Sequence, residues 1–276
     1  MRVIATASEF RETQDRTSRP LGLVPTMGFL HEGHMALVRR ARSDNACVAV
    51  SIFVNPAQFG PSEDYSTYPR DLESDLSKLE QAGVDLAFVP STEEMYPEGF
   101  DTYIDVGDIA GRLEGEFRPG HFKGVATVVC KLLSIVRPDR AYFGQKDAQQ
   151  CLVVGRLNTA LNLGAEIVIV PTVRETDGLA LSSRNTRLGP EERTAALVLY
   201  RSLCLAKSLW EGGMRDAEEV RRKMRALIAT EPLARPDYVS IASAHTLEEL
   251  EMIERPALVS LAVRIGSTRL IDNVTL

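Results

Sequence analysis

Along the first 170 positions, apolar residues fall into short β-branched runs separated by stretches with helical spacing. The runs at 21–25, 46–54, 85–89, 140–143 and 165–170 predict strands, and the segments 33–42, 70–82, 123–136 and 147–161 predict helices. Strands alternating with helices predict a parallel sheet with crossover helices, a doubly wound α/β layout. After position 170 the texture changes. A polar segment, 174–187, leads into Gly189-Pro190-Glu191-Glu192, where proline opens a helix with an acidic first turn; that helix is expected to end near Gly212-Gly213. A second charged helix over 216–229 precedes strand-like runs at 237–242, 257–264 and 268–274. The pattern predicts a first domain over 1–172 and a smaller α+β domain over 173–276. No low-complexity linker separates them, so the polar segment reads as a short hinge with the site beneath it.

Composition narrows the class. The chain has 276 residues, 44% hydrophobic and 25% charged, enough to bury roughly 75% of its unfolded surface without staples. Its net charge is −6, with both signs interspersed. That argues against a nucleic-acid partner or an anionic membrane surface, so any phosphate it binds is expected to be small. The first residues carry no long apolar run, and nowhere do 18 apolar residues follow one another, so the chain reads as cytoplasmic. Cys47, Cys130, Cys151 and Cys204 are far apart in apolar stretches and read as small buried hydrophobes. No glycine triplet of the dinucleotide type follows the first strand, which disfavours a dehydrogenase.

Five segments carry chemistry. Residues 25–34, PTMGFLHEGH, follow the first long strand, where backbone amides at a helix N-terminus attract phosphate. His31 and His34, three apart, share a helical face and can stabilise charge on a departing pyrophosphate. Zinc is disfavoured, because HEGH lacks the spacing of a two-histidine zinc helix. In 53–60, FVNPAQFG, Asn55 and Gln58 can each donate and accept, which suits a hydroxy acid; the alternative for Asn55 is ordinary turn chemistry. Downstream, Asp75 either reaches a magnesium ion or is an exposed helical carboxylate. In 113–125, Arg118, His121 and Lys123 sit among glycines and line either a pocket or a subunit contact.

The fourth segment, 142–150, reads YFGQKDAQQ. Gly144 permits close approach, Lys146 offers a point charge for phosphate, and Asp147 caps the helix or holds a ribose or metal-bound water. In the fifth, 173–185, Ser182, Ser183 and Arg184 can clamp a triphosphate from the side opposite the histidines.

The HEGH signature resembles that of the nucleotidyltransferase superfamily. The five segments, in this order and spacing over about residues 20–190, closely resemble the pantothenate synthetase (pantoate–β-alanine ligase) family. The resemblance implies a Rossmann-like first domain with a C-terminal lid and a cytoplasmic homodimer. It also implies an ATP- and magnesium-dependent ligase joining pantoate to β-alanine through an acyl-adenylate. By the same resemblance, His31 and His34 contact the phosphates, with His34 the proton donor, while Lys146, Ser182, Ser183 and Arg184 clamp the triphosphate. The amides of Met27 and Gly28, together with Val173, frame the adenosine; Gly144 and Asp147 join that nucleotide site. Gln58 and Gln150 hold pantoate, assisted by Asn55 and Arg118. The family usually carries Met before its SSRN run, where this chain has Leu181; the two are near in volume, so the position keeps its expected contact with adenine.

Overall fold

The computed structural model describes residues 1–61, 65–254 and 256–276. The chain divides into two compact units. One comprises Met1–Ala110, Arg118–Gln145 and Gln150–Pro171; the other comprises Gly111–Phe117, Lys146–Gln149 and Thr172–Leu276.

Six parallel strands build the first unit: β1 (Arg2–Ile4), β2 (Leu21–Thr26), β3 (Cys47–Ile52), β4 (Leu86–Phe88), β5 (Arg140–Gly144) and β6 (Glu166–Val170). Their order is β1-β4-β3-β2-β5-β6. The predicted strands are present, and β1 with the helix Ala7–Gln14 is added; a three-residue edge strand is too short to leave a periodic signal. Central strands are apolar on both faces because helices cover both. Val24, Val48 and Val50 pack with Leu37 and Val38 of the helix Glu32–Asp44 and with Leu79 of the helix Leu72–Gln81. Successive strand residues point to opposite faces. Ala87 belongs to that cluster, whereas Phe88 turns to the other side and meets Phe10 edge-on at 5.4 Å.

The winding sets the place of a site. The chain runs β2, β3, β4 toward one edge, then returns so that β5 pairs with the free side of β2. Winding therefore reverses between β2 and β5, and the loops leaving the carboxyl ends of such strands form the usual ligand crevice of this architecture.

The second unit holds an antiparallel sheet of β7 (Ala234–Ser243), β8 (Ala257–Ile265) and β9 (Thr268–Thr275), in that order. Leu199 and Leu203 of the helix Leu197–Glu211 and Val220 and Met224 of the helix Ala217–Ile228 pack against Ile241, Val259 and Leu261. The helix expected from 190 onward is two, Pro190–Ala195 and Leu197–Glu211. The segment Gly111–Phe117 joins this unit through charge: Arg269 grips Glu114 at 2.6 and 2.8 Å and Asp237 at 2.6 Å.

One expectation is corrected. Cys47 and Cys151 are buried, but Cys130 is half-buried and Cys204 is exposed. Cys204 stands in an apolar stretch on a face of its helix that the core does not use.

Candidate active site

In the first unit the site begins where β2 ends. Gly28 has φ 81° and Phe29 φ 53°, two left-handed residues in succession, and for phenylalanine that conformation costs about 1 kcal/mol or more. Three side chains hold the turn. Thr26 donates its hydroxyl to the Ser51 carbonyl at 2.7 Å and accepts the Gly28 N–H at 3.2 Å. Asp75, from the helix Leu72–Gln81, accepts the N–H groups of Phe29 and Leu30 at 2.7 Å each. Lys78 donates to the Leu30 carbonyl at 2.8 Å. Asp75 is 1% exposed, so it is not the exposed carboxylate that its helical position predicts. Its two oxygens each accept one backbone N–H, so it braces the turn; no group of three His, Cys, Asp or Glu that could hold a metal occurs among the described residues.

The turn delivers His31 as the N-cap of the helix Glu32–Asp44. Its Nδ1 accepts the Gly33 N–H at 3.1 Å, and Nδ1 of His34 accepts the His31 N–H at 3.3 Å. Each ring uses its Nδ1 lone pair on the backbone, so in the neutral form each carries its proton on Nε2. The two rings lie 4.1 Å apart between centroids. The structure thus brings the two predicted histidines together at a helix N-terminus beside Met27 and Gly28, a place suited to anionic oxygen.

At the end of β3, Asn55 is 1% exposed and tied on all sides. Its Oδ1 accepts the Tyr96 hydroxyl at 2.6 Å and the Ala57 N–H at 3.3 Å; its Nδ2 donates to the Gly124 carbonyl at 3.1 Å and to Gln58 Oε1 at 3.0 Å. The turn reading of Asn55 is the one seen here: it caps the turn Pro56–Gln58 and holds Gln58 through Nδ2. Gln58 Nε2 lies 3.3 Å from Met27 Sδ, which brings the hydroxy-acid candidate to the end of the histidine loop. Gly124, near the start of the helix His121–Val136, is required by close approach, because a Cβ there would lie 2.1 Å from the Ala57 carbonyl oxygen. His121 Nδ1 donates to the Gln58 carbonyl at 2.9 Å, and Arg118 stands 3.1 Å from His121 Nε2. Arg118 thus braces the loop that carries Gln58. Gly144 closes β5, and its carbonyl accepts the Cys151 thiol at 3.3 Å; Gln150 is half-buried on the following helix.

In the second unit the remaining candidates lie in two stretches. Lys146 and Asp147 share the turn Gln145–Asp147, with Lys146 Nζ 3.9 Å from the Asp147 carboxylate. The Lys146 carbonyl accepts Nδ2 of Asn273 at 2.9 Å. The segment after Val173 folds back on itself. Arg174 bridges Ala180, and the Leu181 N–H donates to the Val173 carbonyl at 3.0 Å. Ser182 then caps the turn Ser183–Arg187, its hydroxyl accepting the Arg184 N–H at 3.3 Å. Ser182, Ser183 and Arg184 are therefore consecutive half-buried groups on one braced turn. Asn185 secures it through Glu175 and the Ala180 carbonyl, and Arg193 grips Glu175 at 2.7 Å.

Sequence reasoning missed Thr26, Lys78, Tyr96 and the bracing role of Asp75. Each acts on a backbone or side chain 25 or more residues away, so no local spacing marks it.

Comparison with known proteins places this geometry. The family model for pantoate-beta-alanine ligase matches residues 2–275. A pantothenate synthetase from Roseiflexus castenholzii is 59% identical over 276 residues, covering 100% of this chain and 99% of the relative. One from Chloroflexus aurantiacus is 60% identical over 274 residues, covering 99% and 97%. Among solved structures, pantothenate synthetase from Thermus thermophilus superposes with a TM-score of 0.95 at 50% identity, covering 99% of each chain. Pantoate-beta-alanine ligase from Francisella tularensis, complexed with beta-gamma ATP and beta-alanine, superposes with a TM-score of 0.81 at 35% identity, covering 100% of this chain and 97% of that one.

Proposed function

The chain belongs to the pantoate–β-alanine ligase family, and from that premise we propose that it condenses pantoate with β-alanine through a pantoyl-adenylate, consuming ATP and releasing AMP and pyrophosphate. The observation that carries the phosphate half of this reading is the histidine pair. Two imidazoles stand together at one helix N-terminus, 4.1 Å apart between ring centroids, each with Nδ1 turned to the backbone, where backbone amides and ring N–H groups suit anionic oxygen. In the first step the pantoate carboxylate attacks the α-phosphorus in line. Positioning and charge stabilisation supply most of the acceleration in such transfers. His31 and His34 stabilise the phosphate oxygens as pyrophosphate leaves, with His34 the proton donor, and Lys146, Ser182, Ser183 and Arg184 contact the same chain of phosphates.

Met27, Gly28, Gly144, Asp147, Val173 and Leu181 hold the nucleoside. Gln58 and Gln150 hold pantoate for both steps, with Asn55 and Arg118 behind Gln58. In the second step the amine of β-alanine attacks the pantoyl carbonyl and AMP departs. Magnesium enters with the nucleotide, since it is ordinarily held by substrate phosphates and water rather than by an all-protein cage; no step above is routed through it. The homodimer and the cytoplasmic location implied by the family resemblance are part of the same proposal. No helix among the described residues is long and apolar enough to cross a membrane.

Exchange of labelled pyrophosphate into ATP tests the reading. Protein, ATP, magnesium and pantoate without β-alanine are expected to support exchange, because the adenylate forms before the amine is needed. Release of ADP and phosphate in its place would overturn the adenylate route. Replacing His34 or Lys146 with Ala is expected to lower exchange by about 10²–10³-fold, the usual loss for one preorganised charge-stabilising donor.

A further inference from the structure

An amide side chain has two chemically opposite ends, and which end faces a ligand decides what the ligand must offer. For Gln58 that choice is made by its neighbours. Asn55 is buried, and two backbone groups fix its sense: the Ala57 N–H can only donate, so it meets Oδ1, and the Gly124 carbonyl can only accept, so it meets Nδ2. The second hydrogen on Nδ2 goes to Gln58 Oε1 at 3.0 Å. The acceptor end of Gln58 is thereby turned toward Asn55 inside the protein. The end that remains is the NH2 group, close to the weakly accepting Met27 Sδ at 3.3 Å.

The backbone sets the sense of this relay, but its bonds at 3.3 and 3.1 Å are long. The short bond comes from elsewhere. The hydroxyl of Tyr96, 41 residues away in sequence, donates to Asn55 Oδ1 at 2.6 Å. Its ring is wedged edge-on against Phe100 at 5.0 Å and lies 6.2 Å from Phe53. Burial, with a smaller contribution from Tyr103, raises the phenol well above its ordinary value, which keeps it a proton donor at any working pH.

We propose that Tyr96 is a positioning residue for the acid site, acting through Asn55 to hold the Gln58 amide with its NH2 end toward the hydroxy acid. This rests on the reading above that Gln58 binds pantoate. The ligand atom that meets Gln58 must then be an acceptor, a hydroxyl or carboxylate oxygen.

The test is Tyr96→Phe, which keeps the ring and removes the donor, assayed by pyrophosphate exchange with pantoate and ATP varied separately. The expected result is a rise of about fivefold in KM for pantoate, the scale of one buried hydrogen bond, with KM for ATP unchanged. A control, Phe100→Leu, loosens the same aromatic wedge without touching the relay and is expected to leave KM for pantoate within twofold of wild type. An unchanged KM for pantoate in Tyr96→Phe, an equal rise in both KM values, or the same selective rise in Phe100→Leu would overturn the positioning role. If wild-type protein itself gives no exchange with pantoate, the reading of the site falls and this inference with it. Failure seen only in the variants sinks the inference alone.

Discussion

The two carboxylate oxygens of Asp75 accept the main-chain N–H groups of Phe29 and Leu30 at 2.7 Å each, and this pair of hydrogen bonds holds a left-handed phenylalanine just ahead of the histidine pair. Asp75→Ala would leave two N–H groups without their partner, at a cost of about 2–4 kcal/mol in stability, and release the turn that delivers His31. We expect a lower urea midpoint together with weaker pyrophosphate exchange. A residue serving only as a magnesium ligand would behave otherwise: exchange would shift with magnesium concentration while the urea midpoint stayed put. That outcome would favour a metal role for Asp75.

Gly124 packs against the turn that carries Gln58 so closely that a Cβ would lie 2.1 Å from Ala57 O, 2.4 Å from its carbonyl carbon and 2.6 Å from the Gln58 nitrogen. All three are backbone atoms, so the turn must move. Gly124→Ala is expected to cost about 1–3 kcal/mol, the range for overpacking, and to raise KM for pantoate more than KM for ATP. Equal effects on both would separate Gly124 from the acid site.

How far the sequence carries can be judged from these residues. The α/β alternation, the strands of the second sheet and the HEGH loop were legible because each is written in local periodicity or in one short motif. The histidines, Gln58 and the SSRN run were legible for the same reason. Asp75 was visible as a helical carboxylate, but its burial depends on Phe29 and Leu30, 46 and 45 residues away. Tyr96 and Thr26 fall in the same class, since a tertiary hydrogen bond leaves no mark at either end. Arg118 reads from the sequence as lining a pocket or a subunit contact, and its nearness to His121 and the Gln58 carbonyl is a tertiary relationship that no local spacing marks.

Arg174 makes a two-pronged ion pair with Asp272, at 2.6 and 2.9 Å, and its guanidinium lies over the Tyr200 ring at 4.5 Å. The Asp272 side chain is 2% exposed, so it depends on that partner. Lysine retains the charge but neither the fork nor the flat stacking surface. Arg174→Lys is expected to destabilise the protein by about 2–4 kcal/mol, near the cost of breaking a buried pair, and to show it as a lower melting temperature. An unchanged melting temperature would mean that the ammonium satisfies Asp272 as well as the guanidinium does.

The four cysteines should separate by chemistry under alkylation. Only the thiolate attacks iodoacetamide. Burial, followed by the neighbouring Asp85 carboxylate, pushes the Cys47 thiol up to about 11, so at pH 8 only about one Cys47 in a thousand is ionised. Burial likewise raises Cys130, which is half-buried. Cys204 is exposed and is expected to be the first site labelled on the folded protein, as read by peptide mass spectrometry. Because the Cys47 shift is upward, its labelling grows as pH rises toward 11 and stays slow below about pH 9, until denaturant exposes the thiol. Rapid labelling of folded Cys47 at pH 8 would show that β3 opens to solvent far more often than its buried register allows.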